Sequence, residues 1–205
     1  MMTQPKSNII TLNEIIGPED YQYVMQQISS KGLIRPTSAQ TITLLDKILQ
    51  NKDDPVYMDI ASKFMNQAAF YLWTATEHIS KPNEGIFVFD NIQGEDLSID
   101  QLTQLDSKNG RVRFVSYGFK TKNQSIIEFM NNPLVIAHFG EEAMPIVEKV
   151  ARYLKFEPFI SALLQSEKSE RRYCALLLDK TTKGLALHGA GQGTGKDGYA
   201  FGIKK

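Results

Sequence analysis

Ala69-Phe70-Tyr71-Leu72-Trp73-Thr74 and Ile86-Phe87-Val88-Phe89 are the stretches that decide the fold class. Both are runs of aromatic and β-branched residues, the composition of half-buried strands. Between them, Lys81-Pro82-Asn83-Glu84-Gly85 supplies the Pro, Asn and Gly that a turn needs. The two runs therefore read as the arms of a local hairpin. N-terminal to them the pattern is helical. Thr11-Leu12-Asn13-Glu14 has the form of a cap for a short helix stopped by Gly17-Pro18. Pro18-Glu19-Asp20 opens a second helix with Tyr21, Val24, Met25 and Ile28 on one face and Gly32 past its end. Thr37-Ser38-Ala39-Gln40 matches a capping box before the stripe Ile42, Leu45, Ile48 and Leu49. Asp54-Pro55 pairs an N-cap with a first-turn proline, and Tyr57, Ile60, Phe64 and Ala68 form the inner face that follows.

C-terminal to the hairpin, elements of both kinds mix. Ser98-Ile99-Asp100-Gln101 caps a short helix, and Asn109-Gly110 turns the chain into the strand Val112 to Tyr117. Thr121 to Met130 reads as helix, and Leu134-Val135-Ile136-Ala137 after Pro133 as an apolar strand ending at His138. Pro145 suits the start of a helix carrying Ile146, Val147, Val150, Ala151 and Leu154. Phe159, Ile160, Leu163 and Leu164 continue in a helical segment after Pro158. Tyr173 to Leu178 and Leu185-Ala186-Leu187 flank the turn Lys180 to Gly184, and Tyr199-Ala200-Phe201 reads as a third strand across a glycine-rich loop. Helices and strands without strict alternation, plus local hairpins, give the class α+β. The expected architecture has N-terminal helices packed on a mixed or antiparallel sheet and a C-terminal β-hairpin with a glycine-rich loop. One domain is expected over residues 9–205 after a loose tail at 1–8, and a sub-boundary, if present, would fall near residues 108–111.

The order of a helix ending in Phe64-Met65, the run Ala69 to Thr74, and Gly110-Arg111-Val112-Arg113-Phe114-Val115 resembles the enhanced serine sensitivity (SseB-like) proteins. The resemblance covers about residues 40–140 and rests on pattern rather than an invariant motif. The chain departs from that pattern at Trp73-Thr74, where a proline is expected, and after Met130. The resemblance implies a small α+β domain with no catalytic residues to carry over.

Composition bounds the remaining possibilities. The 205 residues are 42% hydrophobic and 22% charged, ordinary for a soluble domain with a sizeable core. No apolar run approaches the roughly 18 residues of a membrane span, and MMTQPKSNIITL lacks the features of a secretory signal. Cys174 is the only cysteine, so no internal disulfide forms, and a cytoplasmic location is expected. Among Tyr173, Ala175, Leu176 and Leu177 it reads as a small buried hydrophobe, inert as a nucleophile. Net charge is zero, yet residues 1–110 carry eight Lys and Arg against fourteen Asp and Glu, while residues 111–205 carry fifteen against nine. Either the surfaces are interspersed, or a basic C-terminal face meets an acidic partner or the acidic half of another copy. The basic residues are scattered without a recognition motif, which argues against nucleic acid.

The chemistry-bearing candidates are few. Five of fourteen glycines fall between Gly189 and Gly198. Ala190-Gly191-Gln192-Gly193-Thr194-Gly195-Lys196-Asp197 approaches the spacing of a phosphate-binding P-loop. It lacks the first Gly, the Ser/Thr after Lys196, and any downstream helix long enough to present its N-terminus to a phosphate. His188 beside this loop, with Gly191, Gly193, Gly195 and Lys196, could instead hold a simple anion. The three histidines, His78, His138 and His188, show no zinc spacing, so no metal or cofactor is assigned. Asp90, Glu95, Asp96 and Asp100 do not follow the calcium-loop rule. The leading expectation is a non-catalytic cytoplasmic interaction or regulatory protein that binds another protein; a third class, a phage or secretion-associated protein acting on a host partner, is not separated from it by the sequence. The alternative is a small-molecule or anion-binding protein, or an enzyme, with its site at the glycine loop.

Overall fold

A computed structural model describes residues 12–109, 112–122, 124–155, 157–161, 169–181, 183–190 and 193–204. The sequence tail at 1–8 lies outside them. In chain order the elements are β1 (Leu12–Glu19), α1 (Tyr21–Ser30), α2 (Ser38–Gln50), α3 (Pro55–Asn66), β2 (Ala69–Lys81), β3 (Gly85–Asp90), α4 (Ile99–Asn109), β4 (Val112–Ser116), α5 (Ile126–Met130), α6 (Pro133–Phe139), α7 (Met144–Leu154), β5 (Glu157–Ser161), β6 (Arg171–Asp179), β7 (Gly184–Ala190) and β8 (Gly198–Ile203), with a 3-10 turn at Glu141–Ala143 before α7. This is an α+β protein built on one mixed sheet. The eight strands run β1-β8-β2-β6-β7-β5, with β3 and then β4 added beside the second half of β2.

Strand β2 organises the sheet. Its first half pairs with β6 antiparallel and with β8 parallel; its second half pairs with β3 and β6. The β2–β3 register, Lys81↔Gly85 to Thr76↔Asp90, is the hairpin expected from the sequence. Between Trp73↔Ala175 and Glu77↔Tyr173 the register with β6 shifts, leaving two extra residues on β2. The backbone released there finds partners elsewhere: Ala75 N–H donates to the Pro36 carbonyl (2.6 Å) and Asn91 N–H to the Ala75 carbonyl (2.7 Å).

Because paired residues share a face, the register separates two sides of the sheet. Phe70, Leu72, Ile86, Val88, Leu176, Leu178, Leu187 and Phe201 face the larger core, closed by residues of α2, α3, α5, α6 and α7. Trp73 and Ala175 face the opposite way, under Tyr21, Val24, Met25 and Ile28 of α1. Ile79, Phe87, Phe89 and Val112 meet Leu102 of α4 on that same side. The caps read from the sequence are present: Thr37 and Gln40 bond reciprocally, Asp54 accepts from Val56 N–H ahead of Pro55, and Ser98 and Gln101 exchange bonds at α4.

Several elements differ from the sequence reading. Leu12–Glu19 is a strand paired with β8 rather than a capped helix, because Ile15 and Ile16 find a sheet edge there. Residues 134–137 are helical: the Asn132 side chain accepts from Leu134 N–H and Pro133 takes the first turn, so the apolar run is one buried turn of α6. His138 is thus inside a helix, not at a strand end. Of the helix expected over Thr121 to Met130, only Ile126–Met130 forms, after the Ser125 cap. Phe159 and Ile160 belong to β5, parallel to β7, and Leu163 and Leu164 lie outside the described residues. Ala68 follows α3 and is exposed. Tyr199 to Phe201 does form a strand, but beside β1 and β2 rather than β7.

The charge asymmetry of the sequence does not become two bodies. Strands from both halves alternate in the sheet, and ion pairs cross between halves: Lys149–Asp46, Arg113–Asp90, Arg171–Glu77 and Arg171–Asp96. No helix among the described residues is long and apolar enough to cross a membrane.

Candidate functional site

Polar residues in the middle of a central strand are unusual, and β2 buries Thr74, Thr76, Glu77, His78 and Ser80 in succession. Alternation along the strand sends them to opposite faces, so two polar constellations lie back to back.

On the α1 side sits Glu77, only 2% exposed. Tyr21 Oη donates to its Oε1 (2.8 Å), as does Asn91 Nδ2 (2.9 Å), and Arg171 Nε lies 3.2 Å from Oε2. The Arg171 contact is a charge contact without a directed hydrogen bond. Burial pushes the Glu77 carboxyl up, against the lowering effect of those three partners. Burial, then the carboxylate, pushes the Tyr21 phenol well up. Tyr21 also stacks on Tyr173 with ring centroids 4.0 Å apart, and meets Trp73 edge-on. These contacts fix the start of α1 against β2 and β6. Beside them opens a cavity of about 410 Å³ lined by Asp20, Gln22, Arg171, Tyr173, Gly193 and Thr194.

The glycine-rich segment contributes to this cavity through its backbone. Gly193 has φ +67° and its carbonyl accepts from Tyr21 N–H (3.0 Å); a Cβ there would come within 2.8 Å of both Tyr21 and Tyr173. Gly198 lies flat against the Trp73 indole, whose Nε1 donates to the Glu19 carbonyl (3.1 Å), so a side chain at 198 would run into the ring. The loop's glycines at these two positions answer to packing. After the loop comes β8, a strand, as the P-loop argument required.

The residues expected to form an anion site divide. Gly193 is buried at the cavity. Gly195 and Lys196 are exposed, and Gly191 lies outside the described residues. His188, half-buried on β7, bonds through Nδ1 with Ser161 Oγ (3.1 Å) and packs edge-on against Tyr71. Burial, then the charge of Arg172, lowers its pKa. No hydrogen bond or ion pair between described residues joins His188 to Lys196.

On the opposite face, His78 of β2, His138 of α6 and Cys174 of β6 converge, all fully buried, with their ligand-capable atoms within 4.8 Å of one another. His138 Nδ1 lies 2.8 Å from the Leu134 carbonyl. A carbonyl only accepts, so Nδ1 carries the proton and Nε2 presents a bare lone pair to Cys174 Sγ at 3.4 Å. The thiol proton then points to His138, and His78 Nδ1–H donates to Sγ at 3.1 Å. His78 Nε2 is left buried without a partner. Burial lowers His78 well below its usual value, lowers His138 to about 4, and pushes the Cys174 thiol well up. All three are therefore neutral at pH 7. Around them, Thr74 Oγ1 bonds the Cys174 carbonyl, and Thr76 Oγ1 donates to Asp90, which pairs with Arg113.

Cys174 is buried, as its apolar neighbours in the sequence imply. The sequence alone does not bring the cysteine to two histidines. His138 was the legible clue: on a helix starting at Pro133, positions 134, 137 and 138 share the inner face. Compared with known proteins, the chain matches no protein-family model, no curated protein and no solved structure.

Proposed function

We propose that the chain is a non-catalytic binding protein that recognises a protein partner by taking a basic side chain of that partner into the cavity at the start of α1. The observation that supports this is the charge balance of the lining. Asp20 and Arg171 are the charged residues of the lining, and Arg171 is already met from outside it by Glu77 at 3.2 Å and Asp96 at 2.6 Å. Arg171 is thus compensated from outside the lining, and Asp20, whose Oδ1 also caps α1 at Tyr23 N–H, is the carboxylate that faces the cavity. The Gln22 amide and the Tyr173 and Thr194 hydroxyls add acceptors. A Lys or Arg side chain fits such a lining better than an anion does. Tyr23, one residue on from Gln22 and 49% exposed, supplies an aromatic contact of the kind enriched at interfaces. Against catalysis, Glu77 is enclosed by three partners and is no free base.

The test is a peptide array probed with the intact protein at low and high salt. Lysine- and arginine-containing peptides should bind, more weakly at high salt. Asp20→Asn should lower that binding several-fold while keeping the α1 cap, since Asn caps as well as Asp. Preferential capture of acidic peptides, lost on Lys196→Ala, would replace this reading with an anion site at the glycine loop.

A further inference from the structure

We propose that His78, His138 and Cys174 form a buried three-coordinate site for a monovalent soft metal ion, copper(I). The donor set is one thiol sulfur and two imidazole nitrogens, the combination that selects soft or borderline transition metals over magnesium or calcium. The geometry is close to that of a complex. With metal–sulfur near 2.3 Å and metal–nitrogen near 2.0 Å, sulfur and nitrogen stand about 3.5–3.8 Å apart. The observed separations from Sγ are 3.1 and 3.4 Å, so each must open by less than about 0.7 Å, while the two nitrogens, within 4.8 Å of one another, must come to about 3.5 Å.

Beside the convergence of three buried donor atoms, one feature suits a ligand. The Leu134 carbonyl holds His138 in the tautomer whose Nε2 is free to coordinate, the role a carbonyl plays behind a metal-bound histidine. His78 is fully buried and turns Nδ1 toward Cys174 Sγ, while its Nε2, on the far edge of the ring, has no partner with or without a metal. Shifting its proton from Nδ1 to Nε2 frees Nδ1 to coordinate; the metal replaces the bond to Sγ, and the Nε2–H it leaves without an acceptor is a cost that metal binding must exceed.

Charge selects the ion. The surrounding charges occur in pairs, Glu77 with Arg171, Asp90 with Arg113 and Glu170 with Arg172. A thiolate, two neutral imidazoles and copper(I) sum to zero in this dry setting. Zinc would leave one uncompensated positive charge, which a buried site resists. Three ligands also suffice for copper(I), whereas structural zinc takes four. On binding, the Cys174 S–H bond breaks, a sulfur–copper bond forms, and the proton passes to solvent; copper enters and remains as copper(I), so no oxidant or reductant is required.

The full-length protein, kept anaerobic, is offered copper(I) from a chromophoric chelator complex, once folded and once during refolding, with zinc(II) in parallel. Native mass spectrometry should show one copper per chain by at least one route, not displaced by equimolar zinc. Cys174→Ala should weaken retention at least 100-fold and His138→Gln about 10- to 100-fold, with circular dichroism confirming the fold, while His188→Ala should leave it unchanged. X-ray absorption of the loaded wild-type protein needs no variant and should show one short sulfur and two imidazole nitrogens. Failure to load by both routes, retention unaltered in Cys174→Ala, a metal shell lacking sulfur, or preference for zinc would each overturn the assignment.

Discussion

Replacing Glu77 separates two ways a buried carboxylate can stabilise a fold. If it acts chiefly as an acceptor for Tyr21 and Asn91, a neutral isostere suffices. If its charge on Arg171 dominates, the isostere fails. Burial is the largest influence on Glu77 and raises its pKa despite Arg171, so the ionised form is disfavoured relative to the unfolded chain. Glu77→Gln keeps an acceptor for the two donors and removes the desolvated charge, while Arg171 retains Asp96. The expected change is within about 1 kcal/mol of wild type. Glu77→Ala instead leaves the Tyr21 hydroxyl and the Asn91 amide without that acceptor, at about 1–3 kcal/mol each, and opens space between strand and helix. Roughly 3–5 kcal/mol should be lost. The sign with pH follows: a raised native pKa means the folded state holds the proton longer. Wild-type stability therefore falls as pH rises from about 4.3 through the native pKa and is flat above it; Glu77→Gln lacks this slope. Urea unfolding followed by the fluorescence of Trp73, the single tryptophan and buried beside α1, reads all three quantities. A loss above 3 kcal/mol in Glu77→Gln would refute the reasoning and assign the stability to the ion pair.

Further outcomes are expected. Thr37→Ala breaks the reciprocal cap of α2 and should lower stability by about 1 kcal/mol in the same urea assay. Gly198→Ala drives a methyl into the Trp73 indole and should cost more than about 2 kcal/mol or shift the tryptophan emission to the red. Cys174 should resist a thiol reagent in the native protein and react at once in denaturant, because burial disfavours the thiolate. Cleavage near Lys108 should not release two independently folded fragments, since β4 pairs with β3 and β6 and β8 pair with β2 across that point.

What the sequence disclosed depended on how local the signal was. Thr37-Gln40, Asp54-Pro55 and the turn Lys81 to Gly85 act within a few residues, and each formed as written. Leu134 to Ala137 failed because four consecutive apolar residues carry no period; Asn132-Pro133 was the cue that decides for a helix. Leu12–Glu19 failed because its capping signal competed with a pairing to β8 at the far end of the chain. The sites are the least local of all. Tyr21 and Glu77 are 56 residues apart, brought together by the packing of α1 on the sheet, and His78 and Cys174 are 96 apart, brought together by the β2–β6 register. The glycine loop drew attention to the right neighbourhood, but through Gly193 and its carbonyl rather than through His188 and Lys196.

The proposed function stands on a basic side chain entering the cavity at the start of α1. Amide chemical-shift mapping of the labelled protein during titration with a lysine-containing peptide tests it most directly. Shifts are expected to concentrate at Gln22, Tyr173, Gly193 and Thr194, to be suppressed in Asp20→Asn and to be absent with an acidic peptide. Shifts centred on Gly195 and Lys196, elicited by the acidic peptide instead, would contradict it.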